Sequence, residues 1–152
     1  MVLLKERYAF VMMVRDKWWQ EFVRLHRKGK QVQSYVQTGW GVPKKASMLF
    51  FYVVKPIGEV AGYADFIERK VGDAEELWKE HGHESVLSTA KKYFGFLDGR
   101  KKASFIRFEN LQEAAKPITL SNLLMLLNVG RISRKGFYID EKTAKKLKSS
   151  MD

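Results

Sequence analysis

Residues 48–54 read MLFFYVV, an apolar run with no polar residue in it. A strand with one wet face alternates apolar and polar side chains, whereas an unbroken run of β-formers needs cover on both faces. The chain must therefore wrap material around this segment. Pro56, which has no N–H to offer a neighbouring strand, ends it. A second stretch of the same kind, RYAFVMMV at 7–14, reads as another buried strand.

The rest of the chain supplies the cover. Asp16 is placed to cap a helix over about 17–28, with Trp18, Trp19, Phe22, Val23 and His26 on one face and Lys17, Glu21, Arg24 and Arg27 on the other. Residues 30–38 alternate as a strand, Val32, Ser34 and Val36 facing one way and Gln33, Tyr35 and Gln37 the other. A strand is expected over about 57–69. Asp73 with Glu76 then makes a capping-box-like start for the helix AEELWKEHG, and a further short helix is expected over about 84–92. SFIRFEN at 104–110 alternates as a strand, and Thr119 can cap the apolar helix LSNLLMLLN. The C-terminal segment reads as a basic turn, a short strand and a helix capped by Asp140. Five or more short strands with short helices between them predict a small mixed α+β barrel, one domain over 1–152, rather than a layered parallel sheet.

The chain has 152 residues and no cysteine, which excludes disulfides, thiolate nucleophiles and cysteine-held zinc. Its apolar runs are far short of the roughly 20 residues that span a bilayer, and neither resembles a secretory signal. A cytoplasmic setting is expected, and the Lys- and Glu-rich, Cys-free composition hints at a thermophilic source. The formal charge of +11 predicts attraction to polyanions. The excess sits at the two ends. Residues 1–50 hold 10 basic and 3 acidic groups, 51–100 hold 7 and 9, and 101–152 hold 11 and 5. A basic face forms if the two ends meet in space.

Two stretches suit such a face. In GWGVPKK, at 39–45, Gly39 and Gly41 allow close approach of backbone to a ligand, Trp40 offers a stacking face, and Lys44 and Lys45 follow. Stacking a base on an aromatic contributes about 1–3 kcal/mol, and phosphate contacts from these lysines and Lys30 add a salt-dependent term. The alternative is that Trp40 packs beneath its own loop. In GRISRKGFYI, at 130–139, Arg131, Arg134 and Lys135 interleave with Ser133, Phe137 and Tyr138, a pattern that suits single-stranded RNA or a plain charged turn. EHGHE at 80–84 places two histidines between glutamates at a helix end, where capping is the ordinary role; no third firm ligand supports a metal, and no cofactor is expected. Glu59, Asp65 and Glu68 lie along one strand with no partner at a diagnostic spacing.

From Leu49 to Gly82, LFFYVVKPIGEVAGYADFIERKVGDAEELWKEHG resembles the PUA-like superfamily, its ASCH branch above all: a buried strand into a lysine-proline corner, a strand, then a helix. KKASFIRFENLQEAAKPITLSNL is similar to that branch's later strand and helix start, and RISRKGFYIDEKTAKKL to the terminal strand and helix of the ASCH and EVE branches. The resemblance implies a partly open mixed β-barrel with short peripheral helices, and RNA or a modified base as partner. The ASCH branch is marked by Gly-x-Lys-x-x-Glu-x-Arg after the first helix. Counted from Gly29, this chain puts Gln31, Ser34 and Val36 at the three marked positions.

The expected function is then an RNA-binding module for tRNA, rRNA or single-stranded RNA. Trp40, Tyr35, Gly39 and Gly41 would form a base pocket, and Lys30, Lys44, Lys45, Arg131, Arg134 and Lys135 a phosphate-binding rim. One alternative is an ASCH-type amidohydrolase on N4-acylated cytidine, with Lys30, Ser34 and Glu68 as its candidates. Another is a protein-interaction module. The sequence leaves the oligomeric state open.

Overall fold

A computed structural model of the protein describes residues 7–39, 41 and 43–152. In chain order its elements are β1 (Ala9–Val14), α1 (Asp16–Arg27), β2 (Val32–Gln37), β3 (Met48–Val53), β4 (Glu59–Asp73), α2 (Ala74–His81), a 3-10 turn (Gly82–Glu84), α3 (Ala90–Leu97), β5 (Lys102–Thr119), α4 (Leu120–Leu127), β6 (Phe137–Ile139) and α5 (Glu141–Met151). The six strands form one sheet in the order β2-β5-β4-β3-β1-β6. β1 and β3 run parallel and the other neighbours antiparallel. The sheet curls but does not close, giving a partly open α+β barrel. No helix of the described residues is long and apolar enough to cross a membrane.

The apolar run explains its own position. All six residues of β3 are buried. Leu49, Phe51 and Val53 point into the barrel, where they join Phe10, Met12, Phe22, Ile106, Phe108 and Leu111. Met48, Phe50 and Tyr52 point outward into a second apolar layer with Leu123 of α4 and Ala144, Leu147 and Met151 of α5. Each of the larger aliphatic, methionine and phenylalanine side chains among these contributes about 1.5–3 kcal/mol by leaving water.

Helix α1 fills the barrel. Its buried residues are Trp19, Phe22 and Val23. The Phe22 ring lies 5.2 Å from Phe108 and 5.9 Å from Phe51, and Trp19 lies 5.3 Å from Phe51. Trp19 reaches the bare backbone of Gly62, where a Cβ would meet both its indole and the Gln112 carbonyl. β4 and β5 wrap around this plug. Three register shifts between them bend two strands of 15 and 18 residues that would otherwise run straight.

Several expectations shift. Arg15, not Asp16, occupies the cap position of α1, and its side chain makes no cap bond. Asp16 is instead the first helical residue, a favourable place for an anion, and accepts from Gln20 Nε2 at 3.2 Å. The helix expected over 84–92 is a 3-10 turn followed, after a gap, by α3, which Thr89 caps by accepting from Lys92 N–H at 3.1 Å. β4 and β5 run past their expected ends, to Asp73 and Thr119; in β5 the register shifts between Arg107 and Ile118 break the alternation that marks a strand in sequence. Asp73, Thr119 and Asp140 cap as expected, accepting from the N–H groups of Glu76, Asn122 and Thr143.

One polar clasp holds the outer helices to the sheet. Ser34 of β2 and Arg107 of β5 are directly paired on the outer face. Ser34 Oγ donates to Glu84 Oε1 at 2.7 Å, while Arg107 grips both Glu84 oxygens, at 2.9 and 3.0 Å, and reaches Glu68 at 2.5 Å. Glu84 is only 5% exposed. Burial by itself would raise its pKa, but the Arg107 and Ser34 hydrogen bonds and the Arg107 charge outweigh that and hold the carboxyl below its ordinary value.

The C-terminal strap, residues 130–136, is seated by Gly136. Its φ is +88°, and a Cβ there would meet the Phe10 ring and the Val11 carbonyl. Gly136→Ala is expected to destabilise the protein by about 1–3 kcal/mol, since backbone strain and overpacking act together; an unchanged urea midpoint would show that the strap does not rest on β1. The clasp makes a pH prediction. A carboxyl whose folded pKa lies below its unfolded value stabilises the fold above the unfolded value, 4.5, and loses that contribution as pH falls through the folded one. Glu84→Gln is therefore expected to cost about 2 kcal/mol at neutral pH, and its deficit against the parent protein should shrink below pH 4.5 in denaturation series. A deficit independent of pH would mean that the charge of Glu84 contributes nothing.

Candidate nucleic-acid interface

The open seam of the barrel is where backbone and positive charge meet. β6 pairs only with Ala9, Phe10 and Val11 of β1, so the outer edge of β1 beyond Val11 is left to the strap. Facing that edge are the end of β2 and the glycine loop. Between them lies a cleft of about 310 Å³ whose walls are Phe10, Met12 and Met13 on one side, Gln37, Gly39 and Gly41 on the other, with Arg69, Arg134 and Lys135 around it. No carboxylate is among the described residues that line it.

Local structure explains how each cation arrives. A tight turn, closed by Gly136 N–H donating to the Ser133 carbonyl and Lys135 N–H donating to Ser133 Oγ, puts Arg134 and Lys135 at its tip. Arg69 comes from β4, on the other side of the barrel. It donates from Nη2 to the Gly39 carbonyl at 2.9 Å and to Gln37 Oε1 at 3.3 Å, so it fixes the glycine wall from below. Burial lowers its pKa, yet an arginine remains charged. The loop after Gly41 is fastened to the strap's side of the cleft, because Lys44 N–H donates to the Tyr138 hydroxyl at 2.9 Å. Tyr138 in turn packs edge-on against Phe10 at 5.1 Å, with the Arg7 guanidinium 5.5 Å from its ring centre.

A larger, more apolar cleft of about 550 Å³ adjoins the first and shares Met13 and Arg134 with it. Val54, Leu120, Leu124 and Ile132 supply its apolar lining, and Tyr52, Lys55, Arg131, Ser133 and Arg134 its polar groups. Burial raises the pKa of the Tyr52 hydroxyl, which keeps it protonated at neutral pH.

The structure sorts the residues singled out in the sequence. Gly39, Gly41, Arg134 and Lys135 line one cleft; Arg131 lines its neighbour; Lys44 and Lys45 are exposed on the loop that Tyr138 holds. Trp40 lies outside the described residues. Tyr35 is turned away from the seam, its ring edge-on to Phe22 at 5.6 Å, and burial raises its pKa. Lys30 precedes the other end of β2 and donates to the His83 carbonyl. Sequence reasoning passed over Arg69, Tyr52 and Lys55 as site residues, and met Ser133 only as part of the basic-aromatic stretch at 130–139. Of the first three, only Lys55, in the lysine-proline corner, carried a visible signal; Arg69 reaches the glycine loop through strand pairing that no local pattern encodes.

The amidohydrolase candidates do not form an open site. Ser34 is 0% exposed and its hydroxyl is committed to Glu84. Glu68 is engaged by Arg107 and Lys30 by a backbone carbonyl. The ASCH motif places an acid and an arginine at the positions of Ser34 and Val36; here Glu84 and Arg107 bring both groups to Ser34 from neighbouring elements. His81 stands 3.4 Å from Glu84 and 3.5 Å from Glu80, and among the described residues no cluster of three or more ligating side chains is poised to hold a metal.

No family model matches the chain. In sequence it is similar to the ASCH domain-containing ribonuclease of Zymomonas mobilis, 28% identical over 106 residues, which is 69% of either chain. In structure it is similar to the crystal structure of ASCH from Zymomonas mobilis, with a TM-score of 0.75 at 20% identity, covering 96% of this chain and 97% of that one. A mutant of that protein with a serine replaced by alanine gives 0.76 at 20% identity, over 97% and 99% of the two chains. A second mutant, with a tyrosine replaced by phenylalanine, gives 0.74 at 21% identity, over 96% and 100%. The open barrel, its helical plug and the order of its elements give this chain the same fold as the Zymomonas mobilis ASCH structures.

Proposed function

We propose that this domain binds RNA at the seam of the barrel, taking an unstacked base into the cleft between β1 and the glycine loop. The observation that carries the reading is the convergence of Arg134 and Lys135 with the Arg69-braced backbone of Gly39 and Gly41 in a cleft whose described lining holds no carboxylate. A volume of about 310 Å³ lies at the lower end of small-molecule sites, which run from roughly 300 to 1,000 Å³. Trp40 is the aromatic that the sequence supplies between the two glycines for stacking. Lys44, Lys45 and Arg131 extend the positive rim along which phosphates would lie. The net charge of +11 and the similarity to a protein described as a ribonuclease support RNA over other polyanions.

A second reading, cleavage of the bound strand, is favoured by the adjoining cleft. It gathers the hydroxyls of Tyr52 and Ser133 with Lys55, Arg131 and Arg134, the groups that proton transfer and phosphate neutralisation require. Two solved variants of the structurally similar Zymomonas mobilis ASCH protein lack one serine hydroxyl and one tyrosine hydroxyl respectively.

Titration with labelled single-stranded RNA at several salt concentrations tests the first reading. Each phosphate contact adds about 0.7 to the slope of log affinity against log salt, so Arg134→Ala with Lys135→Ala should reduce that slope by about 1.4. Trp40→Ala should weaken binding by about 1–3 kcal/mol with the slope unchanged. Affinity insensitive to salt and to all three changes would remove the proposal. For the second reading, end-labelled RNA should be cut by the parent protein and spared by Tyr52→Phe, which keeps the ring and removes the hydroxyl; intact RNA in both would leave a binding domain.

A further inference from the structure

Beyond Gln37 and Gly39, on the side of β2 away from the seam cleft, lies an open concavity of about 530 Å³ that nothing above uses. We propose that it is a second stacking platform for single-stranded RNA, carrying the strand out of the seam over Trp18 and Phe96. The proposal rests on the RNA reading and extends its footprint.

Three observations converge on it. The first is misplaced aromatic surface. Phe96 is 36% exposed at the end of α3, although Tyr93 and Leu97 of the same helix are fully buried. Its ring meets half-buried Trp18 of α1 edge-on, 6.4 Å between centroids at 86°. Two aromatic rings held at right angles in contact with water present the flat surface and the wall that an unstacked base needs. The second is charge. Arg15 and Lys17 line the same concavity, no carboxylate does among the described residues, and the Lys17 ammonium stands 4.8 Å from the centre of the Trp18 ring. A phosphate next to a base stacked there would find its counter-charge already in place. The third is continuity. Gln37 and Gly39 line both this concavity and the seam cleft, so one strand can round the glycine loop from one to the other without leaving the surface. The requirement for splayed bases restricts the partner to single-stranded RNA, because a duplex keeps its bases stacked on each other.

The platform should be felt only by a strand long enough to reach it. Two 5′-labelled oligouridylates, of about 4 and about 12 nucleotides, span the usual footprints of single-strand binding folds. Phe96→Ala is expected to weaken the longer oligomer about ten-fold and leave the shorter one unchanged. 4-Thiouridine near one end of the longer oligomer should crosslink to peptides carrying Trp18 or Phe96. Undiminished binding of the longer oligomer by Phe96→Ala, with no such crosslink, would overturn this proposal alone. An equal loss at both lengths would mark Phe96 as structural and overturn it too. Failure of the parent protein to bind either oligomer would overturn it together with the RNA reading.

Discussion

Helix α1 is the constraint on which the rest of the molecule depends. It links β1 to β2, and its Trp19, Phe22 and Val23 fill the space that those strands enclose. With Phe51, Phe108 and the bare Gly62 backbone completing the packing, the interior is satisfied without a continuous ring of strands. The sheet therefore keeps a seam. Its unpaired edges offer backbone groups and short loops in place of a closed wall, and concave binding surfaces arise where such edges and loops meet.

Charge is distributed to match. Three of the nine acids in the middle of the chain are held in pairs, Glu84 and Glu68 with Arg107 and Glu80 with Lys70, and Glu113 of β5 pairs with Arg27. The positive groups of the glycine loop and the strap meet no such partner among the lining residues of the clefts. Exposed pairs contribute little to stability, but each removes a negative charge from competition with a polyanion. The buried clasp of Ser34, Glu84 and Arg107 differs in kind, because desolvated charges must be matched or the fold loses several kcal/mol. It closes off a place where a serine and two acids gather, which turns a catalytic-looking set of residues into a fastening.

Much of the scaffold was legible. The double-faced burial of β3, the amphipathic character of α1 and the caps at Asp73, Thr119 and Asp140 follow from periodicity and side-chain chemistry within a few residues. The misreadings share a cause. The true extent of β5 is hidden because bulges shift the inward-facing set from one parity to the other. α3 was displaced because Thr89 caps it only once Leu87 and Tyr93 have found their layer against Phe105.

By itself, the sequence determined the strand and helix types, the caps at Asp73, Thr119 and Asp140, the excess of positive charge at both ends and the absence of thiol chemistry, because each depends on residue type or on neighbours a turn or two away. Only the tertiary structure decided which cations share a cleft. Lys30 and Gly39 lie nine residues apart yet at opposite ends of β2, while Lys44 and Tyr138, 94 residues apart, are hydrogen-bonded. Strand pairing and the helical plug set those distances, and both are products of long-range packing that no local pattern records.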